Sequence, residues 1–202
     1  MELADLYKLI DERNEATTDV DRAAIDARIQ GHFRRPVAVL ISDMSGFSRV
    51  TKSLGIIHFL AMIRRMQKIC RPIIEGNGGN LVKCEADNLF CSFPTTVDAT
   101  RAAIAMRAAV AADAEGRPEH DQIGLSIGIS WGEVLDIDGH DLFGDAVNMA
   151  SKLGEDTASG GDILLTAAAA ADVRGKGPWV FSEGQTLVSQ LQISYMTLIQ
   201  QD

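Results

Sequence analysis

The chain reads as a single α/β domain, and three observations carry that reading. Apolar runs of β character alternate with longer segments of helical periodicity from Pro36 onward. Turn punctuation separates them, most clearly Gly76-Asn77-Gly78-Gly79, Gly116-Arg117-Pro118-Glu119 and Gly160-Gly161-Asp162. At 202 residues, with 46% hydrophobic residues and no internal repeat, the chain is long enough for one full core.

Residues 1–35 precede this alternation as a helix-prone extension. Leu3, Leu6, Leu9 and Ile10 form a narrow apolar stripe over 4–13, and Ile25 and Ile29 mark a second helix after Glu15-Ala16-Thr17-Thr18-Asp19. Residues 36–202 are the main domain. Its first β-run, Val37-Ala38-Val39-Leu40-Ile41-Ser42, stops at Asp43. A helix over about 52–75 follows, with Ile56, Phe59, Leu60, Ile63 and Met66 on its apolar face and a kink expected at Pro72. Two short β-runs, 80–86 and 88–93, face each other across an exposed tip at Asp87-Asn88. An alanine-rich helix from Val97 to Ala114 leads to a strand at 123–129, whose Gly124 and Gly128 leave one face bare for close approach of another backbone or a ligand. A separate strand is expected at 133–137. The next helix, from Asp145 to Leu153, puts Asn148 and Lys152 on one face.

The formal net charge of -9, with basic residues scattered apart from Arg34-Arg35 and Arg64-Arg65, builds no nucleic-acid footprint. No apolar stretch approaches the roughly 20 residues of a membrane span, and the start resembles no signal peptide, so a cytoplasmic location is expected. Cys70, Cys84 and Cys91 lack metal-ligand spacing and read as reduced packing thiols. His32, His58, His120 and His140 share no metal spacing either, and Ser42, Ser45 and Ser48 have no evident triad partners.

Asp43 and Asp87 carry the chemistry. Each ends a β-run, and adjacent runs can bring two such carboxylates together as a hard oxygen site for Mg²⁺ bound with substrate phosphates. Gly46 permits close approach, and a helix N-terminus after it favours phosphate.

Three segments, Ile41-Ser42-Asp43-Met44-Ser45-Gly46-Phe47-Ser48, Lys83-Cys84-Glu85-Ala86-Asp87 and Asp141 through Leu153, resemble in order the motifs of the class III nucleotidyl cyclase catalytic domain. The resemblance spans about Pro36 to Thr166. It implies a ferredoxin-like βαββαβ core that forms a head-to-tail homodimer with nucleotide between the subunits. It also implies two Mg²⁺ or Mn²⁺ ions held by Asp43, Asp87 and the Met44 carbonyl, and a triphosphate cradled by backbone N–H groups of Ser45, Gly46, Phe47 and Ser48. Lys83 and Asp141 match the family's adenine-reading pair and favour ATP, cyclised to 3′,5′-cyclic AMP; guanylyl cyclases usually place Glu and Cys there. Asn148 matches the ribose-positioning asparagine. Lys152 stands where the family has a transition-state arginine, so slower turnover is expected. The segment from Gly132 to Asp141 is shorter than the family's hairpin arm, and Gln190-Leu191-Gln192-Ile193-Ser194-Tyr195 lacks its Lys-Gly phosphate motif. Two alternatives stand beside an adenylate cyclase: a weakly catalytic nucleotide-binding signalling module, and a cyclase for GTP or a pyrimidine nucleotide. The N-terminal helices are candidates for a regulatory partner.

Overall fold

The structure is a computed structural model that describes residues 3–45, 54–188 and 190–199. Two helices, α1 (Leu3–Glu15) and α2 (Asp19–Phe33), lead into β1 (Arg34–Ser45). There follow α3 (Ile56–Gly76), β2 (Asn80–Glu85), β3 (Asn88–Phe93), α4 (Thr96–Ala114), β4 (Gly124–Ile137), β5 (Asp141–Phe143) and α5 (Asp145–Gly154). The chain closes with β6 (Ile163–Thr166), α6 (Ala167–Val173), β7 (Val180–Val188) and β8 (Leu191–Ile199). Helix α2 is capped by the Thr18 side chain, which accepts from the Asp21 N–H, and α4 likewise by Thr95 from Asp98.

The strands form one sheet in the order β2-β3-β1-β4-β6-β8-β7, with β5 paired to the end of β4. Its first four strands are antiparallel neighbours with two crossover helices, which is the expected ferredoxin-like βαββαβ core. β1 is central, paired from Ala38 to Ser42 with β3 and along its whole length with β4, and Ala38 to Ile41 are fully buried. Helices α3 and α4 cover one face through Phe59, Met66, Cys70, Ala102 and Met106. On the other face Ala146 and Ala150 of α5 pack against Val39, Ile41 and Val134. Leu6, Leu9, Ile29 and Phe33 of α1 and α2 bury Ile137 in a smaller cluster at the far end of β4.

Three local expectations need correction. The strands expected at 123–129 and 133–137 are one strand, because Gly132 pairs with Val37 and the ladder to β1 crosses it unbroken. Gly132 serves the helix above instead, since a Cβ there would lie 3.1 Å from the Ala146 Cβ. Pro72 lies inside α3, which continues helical to Gly76. Ile56 and Leu60 are each 55% exposed beside Ile57 at 81%, because the buried stripe of α3 runs through Phe59, Met62, Ile63, Met66, Cys70 and Ile74. The start of that helix, expected near 52, lies outside the described residues. Cys70 and Cys91 are buried as packing thiols, whereas Cys84 is exposed on edge strand β2.

Candidate functional site

The site begins where β1 leaves the core. Asp43 follows Ser42, which pairs with Leu89 of β3, and itself pairs with Ser126 of β4. The β2–β3 hairpin closes at Glu85 opposite Asn88, leaving Ala86 and Asp87 as its two-residue turn. Ala86 takes φ 50°, a left-handed conformation strained for a residue with a Cβ. The turn folds Asp87 inward: it is 9% exposed, not at the exposed tip that hairpin position alone implies. The Asp43 and Asp87 carboxyls come close enough for each to act on the other's proton affinity.

That contact has an electrostatic price. Burial, then the charge of Asp87, then that of Glu155 push the Asp43 carboxyl up to about 6. Burial also raises Asp87. Glu155, held by a 2.6 Å bond from Ser151 Oγ at the end of α5, is a third carboxylate that the sequence did not single out. Among the described residues no lysine or arginine pairs with Asp43 or Asp87, so the pair suits a cation supplied from outside the chain. No group of three acidic, histidine or cysteine side chains converges among the described residues. Two carboxylates, the Met44 carbonyl and phosphate oxygens are a donor set that fits Mg²⁺, which keeps waters and shares substrate oxygens.

A pH dependence follows. The folded Asp43 pKa of about 6 lies above the ordinary carboxylate value of 3.8, so the folded state binds more protons in that interval and stability falls as pH rises through it. Metal-free protein is therefore expected to melt a few degrees higher at pH 5 than at pH 7. In thermal melts Asp43→Asn should remove most of that difference, and millimolar Mg²⁺ should raise the pH 7 melting temperature of the parent only. An equal pH difference in both proteins would count against the carboxylate pair.

The second set of residues lies on β2 and β5. Lys83 Nζ bonds Asp141 Oδ1 at 2.9 Å and Glu85 Oε1 at 2.8 Å, and stands 4.9 Å over the Phe90 ring. Burial lowers the Lys83 pKa, but the bonds to Glu85 and Asp141 outweigh it and raise it, so the ammonium stays charged. Asp141 Oδ1 also accepts the Leu142 N–H at 2.8 Å, which fixes the carboxylate. The Asn80 side chain donates to the Gly139 carbonyl at 3.0 Å, tying β2 to the turn that precedes Asp141. Sequence reading paired Lys83 with Asp141; it missed Glu85, Phe90 and Asn80. Glu85 was findable, being two residues beyond Lys83 on the same strand face.

Asn148 and Lys152 lie one turn apart on α5, Asn148 exposed and Lys152 half-buried, and neither side chain has a partner among the described residues. Two glycines seat this helix. A Cβ on Gly128 would fall into the Ala150 carbonyl and 2.5 Å from Gly154 N, and one on Gly154 would lie 2.7 Å from the Ile41 carbonyl. The bare strand face thus receives a helix backbone. Met44 is buried and pairs with Leu125. Ser45 pairs with Gly124, and its Oγ lies 2.7 Å from where a Gly160 Cβ would sit, so the hydroxyl nests against the glycine turn. Gly46, Phe47 and Ser48 lie outside the described residues. His58 pairs with Asp121 at 2.8 Å beside His120, with no metal-like grouping.

Among solved structures, the chain superposes on an adenylate/guanylate cyclase/hydrolase from Silicibacter pomeroyi with TM-score 0.70 and 28% identity, covering 84% of this chain and 99% of that one. An adenylyl cyclase from P. aeruginosa shares the fold at TM-score 0.70 and 20% identity, covering 84% and 96%. Sequence relatives include a putative adenylate cyclase 3 of Rhizobium meliloti, 29% identical over 59% of this chain, and an adenylate cyclase of Streptomyces coelicolor, 29% identical over 59%. These matches span only 20% and 29% of those longer proteins. Residues 30–189 match the model of the adenylate and guanylate cyclase catalytic domain, and the chain belongs to that family.

Proposed function

We propose that the protein is an adenylate cyclase, converting ATP to 3′,5′-cyclic AMP and pyrophosphate at sites shared between two copies of the chain. The observation that carries this is the Lys83–Asp141 pair, whose ammonium donor and carboxylate acceptor match the N1 acceptor and 6-amino donor of adenine. Two curated relatives named as adenylate cyclases support it.

In this reading Asp43, Asp87 and the Met44 carbonyl of one subunit hold two Mg²⁺ or Mn²⁺ ions with the triphosphate. Bound there, the ions supply charge neutralisation on the phosphate oxygens and acidify the attacking hydroxyl. The ATP 3′-hydroxyl attacks the α-phosphorus in line, its proton passing to solvent water, as the bond to the bridging oxygen breaks and pyrophosphate leaves. Backbone N–H groups from Ser45 through Gly46 and Phe47 to Ser48 cradle the phosphates. Lys83 and Asp141 of the other subunit read the base, Asn148 orients the ribose, and Lys152 meets charge developing on the α-phosphate. Asn148 and Lys152, without side-chain partners among the described residues, are available for those tasks. The exposed Ile56, Ile57 and Leu60 offer apolar surface for a second copy. Helices α1 and α2 pack on Ile137 just before the β5 turn, which supports a role for them in receiving a regulatory partner whose effect would reach Asp141.

The test is incubation with ATP, GTP, CTP and UTP and either metal, with products resolved by mass. Cyclic AMP is expected. Its absence with all cyclic products absent would leave the chain a nucleotide-binding signalling module. Lys152→Ala should lower kcat about 10²-fold while KM changes little, because the interaction strengthens only as the transition state forms. Parental kcat in Lys152→Ala would make the residue a solvated helix lysine.

A further inference from the structure

Away from the aspartates and the Lys83 cluster, the alanine-rich helix α4 leaves a space that its neighbours do not fill. Ile104, Arg107, Ala108 and Ala111 stand three and four residues apart and share one face of the helix. Trp179, just before β7, and Leu198 of β8 lie opposite. Because Ala108 and Ala111 end at a methyl group, a cavity of about 350 Å³ remains between helix and hairpin. Interiors are otherwise packed without such voids, and this volume falls within the range of small-molecule sites, roughly 300–1,000 Å³. One wall is set by a glycine: a Cβ on Gly177 would lie 2.9 Å from the Trp179 ring, so the missing side chain is what admits the indole there.

The charge in the cavity wall belongs to Arg107. It is half-buried, its Nη1 donates to the Gly161 carbonyl at 3.2 Å, and it forms no ion pair among the described residues. Arg101 on the same helix pairs with Asp98, and Arg117 just beyond it with Asp113. A guanidinium carries five N–H donors in a planar fork, so the bond to Gly161 orients the group and leaves donors for a further acceptor. We propose that this cavity is a binding site for a small apolar carboxylate, its tail against Ile104, Trp179 and Leu198 and its carboxylate on Arg107. Charge complementarity selects that occupant. With a net charge of -9 the chain repels anions in general, so an anion settles only where an acid-free arginine and an apolar wall act together. Inorganic phosphate gains nothing from the wall, and a neutral hydrocarbon gains nothing from Arg107.

The experiment is isothermal titration calorimetry of the full chain with octanoate, with octanol, which has the tail without the charge, and with acetate, which has the charge without the tail. Octanoate is expected to bind once per chain, and octanol and acetate each at least about tenfold more weakly, the worth of a hydrogen bond to a charged group in the first case and of the buried tail in the second. Arg107→Met, which keeps the stem and removes the charge, should abolish the advantage of octanoate over octanol. That ratio is the readout, because a misfolded fraction reduces the number of sites for both alike. Ala108→Leu, which fills the space from an exposed helix position, should weaken octanoate and octanol together. No binding of octanoate, equal affinity for octanoate and octanol in the parent, or an undiminished preference in Arg107→Met overturns the inference. So does failure of octanoate to bind together with self-association that Ala108→Leu abolishes in sedimentation, which would give this face to a second copy. Every readout is independent of nucleotide turnover, so the adenylate cyclase reading stands or falls separately.

Discussion

Asp87→Ala and Lys83→Ala proteins, each nearly inactive alone, are expected to regain about a quarter of parental turnover when mixed in equal amounts. Asp87→Ala removes one of two carboxylates with raised pKa values and no lysine or arginine partner among the described residues. Losing an anchor for ions worth several kcal/mol of transition-state stabilisation costs about 10³-fold in rate. Lys83→Ala leaves Glu85 and Asp141 facing each other without the ammonium that joins them. In a symmetric dimer with shared sites, half of randomly formed dimers are hybrids, and each hybrid has one site carrying both lesions and one carrying neither. Activity assays on the separate and mixed proteins, after incubation long enough for subunit exchange, check this. Mixtures no more active than the separate variants would show that Lys83 and Asp87 serve the nucleotide from the same subunit.

Gly128→Ala should destabilise the fold by about 3 kcal/mol or more, far beyond the usual effect of adding a methyl group to a strand. The added Cβ meets backbone, the Ala150 carbonyl and Gly154 N–H, which no rotamer change can clear. Helix α5 must retreat, carrying Asn148 and Lys152 away from the sheet and lifting Gly154 off Ile41 just before Asp43. The melting temperature is expected to fall by roughly 6–12 °C, with turnover falling further than the folded fraction. Gly31→Ala in α2 is the contrast. Nothing lies within 4 Å of its added Cβ, and alanine is the better helix former, so that variant should melt at or slightly above the parent. Equal melting temperatures for Gly128→Ala and the parent would mean that α5 is not seated by this contact.

Much of the fold was legible because local rules and tertiary demands agree. The run from Val37 to Ile41 is apolar throughout, as a central strand buried on both faces must be, and the turn Gly76-Asn77-Gly78-Gly79 separates α3 from the β2–β3 hairpin. The C-terminal hairpin of β7 and β8 was not legible. Its exposure alternates along Val180–Val188 with Ser182, Glu183, Gly184 and Gln185 inside it, so the apolar signal of a strand is diluted. Glycine misled at residue 132, where an apparent break is a landing place for Ala146.

The sequence by itself determined which residue types stand at strand ends and at what spacing: Asp43 after one run, Asp87 four residues after Lys83, and Asn148 four before Lys152. Those spacings are covalent and survive any folding. Only the tertiary structure decided which charges meet. It turned Asp87 inward through the left-handed Ala86, where burial raises its carboxyl, and set it against Asp43, which burial and the Asp87 charge raise. It also curled β5 back so that Asp141 meets Lys83 from 58 residues away, and gave that lysine Glu85 as a second partner. Periodicity fixes the face on which a side chain stands, but the strength and sign of an electrostatic interaction depend on distance and burial, which arise only once strands distant in sequence are paired.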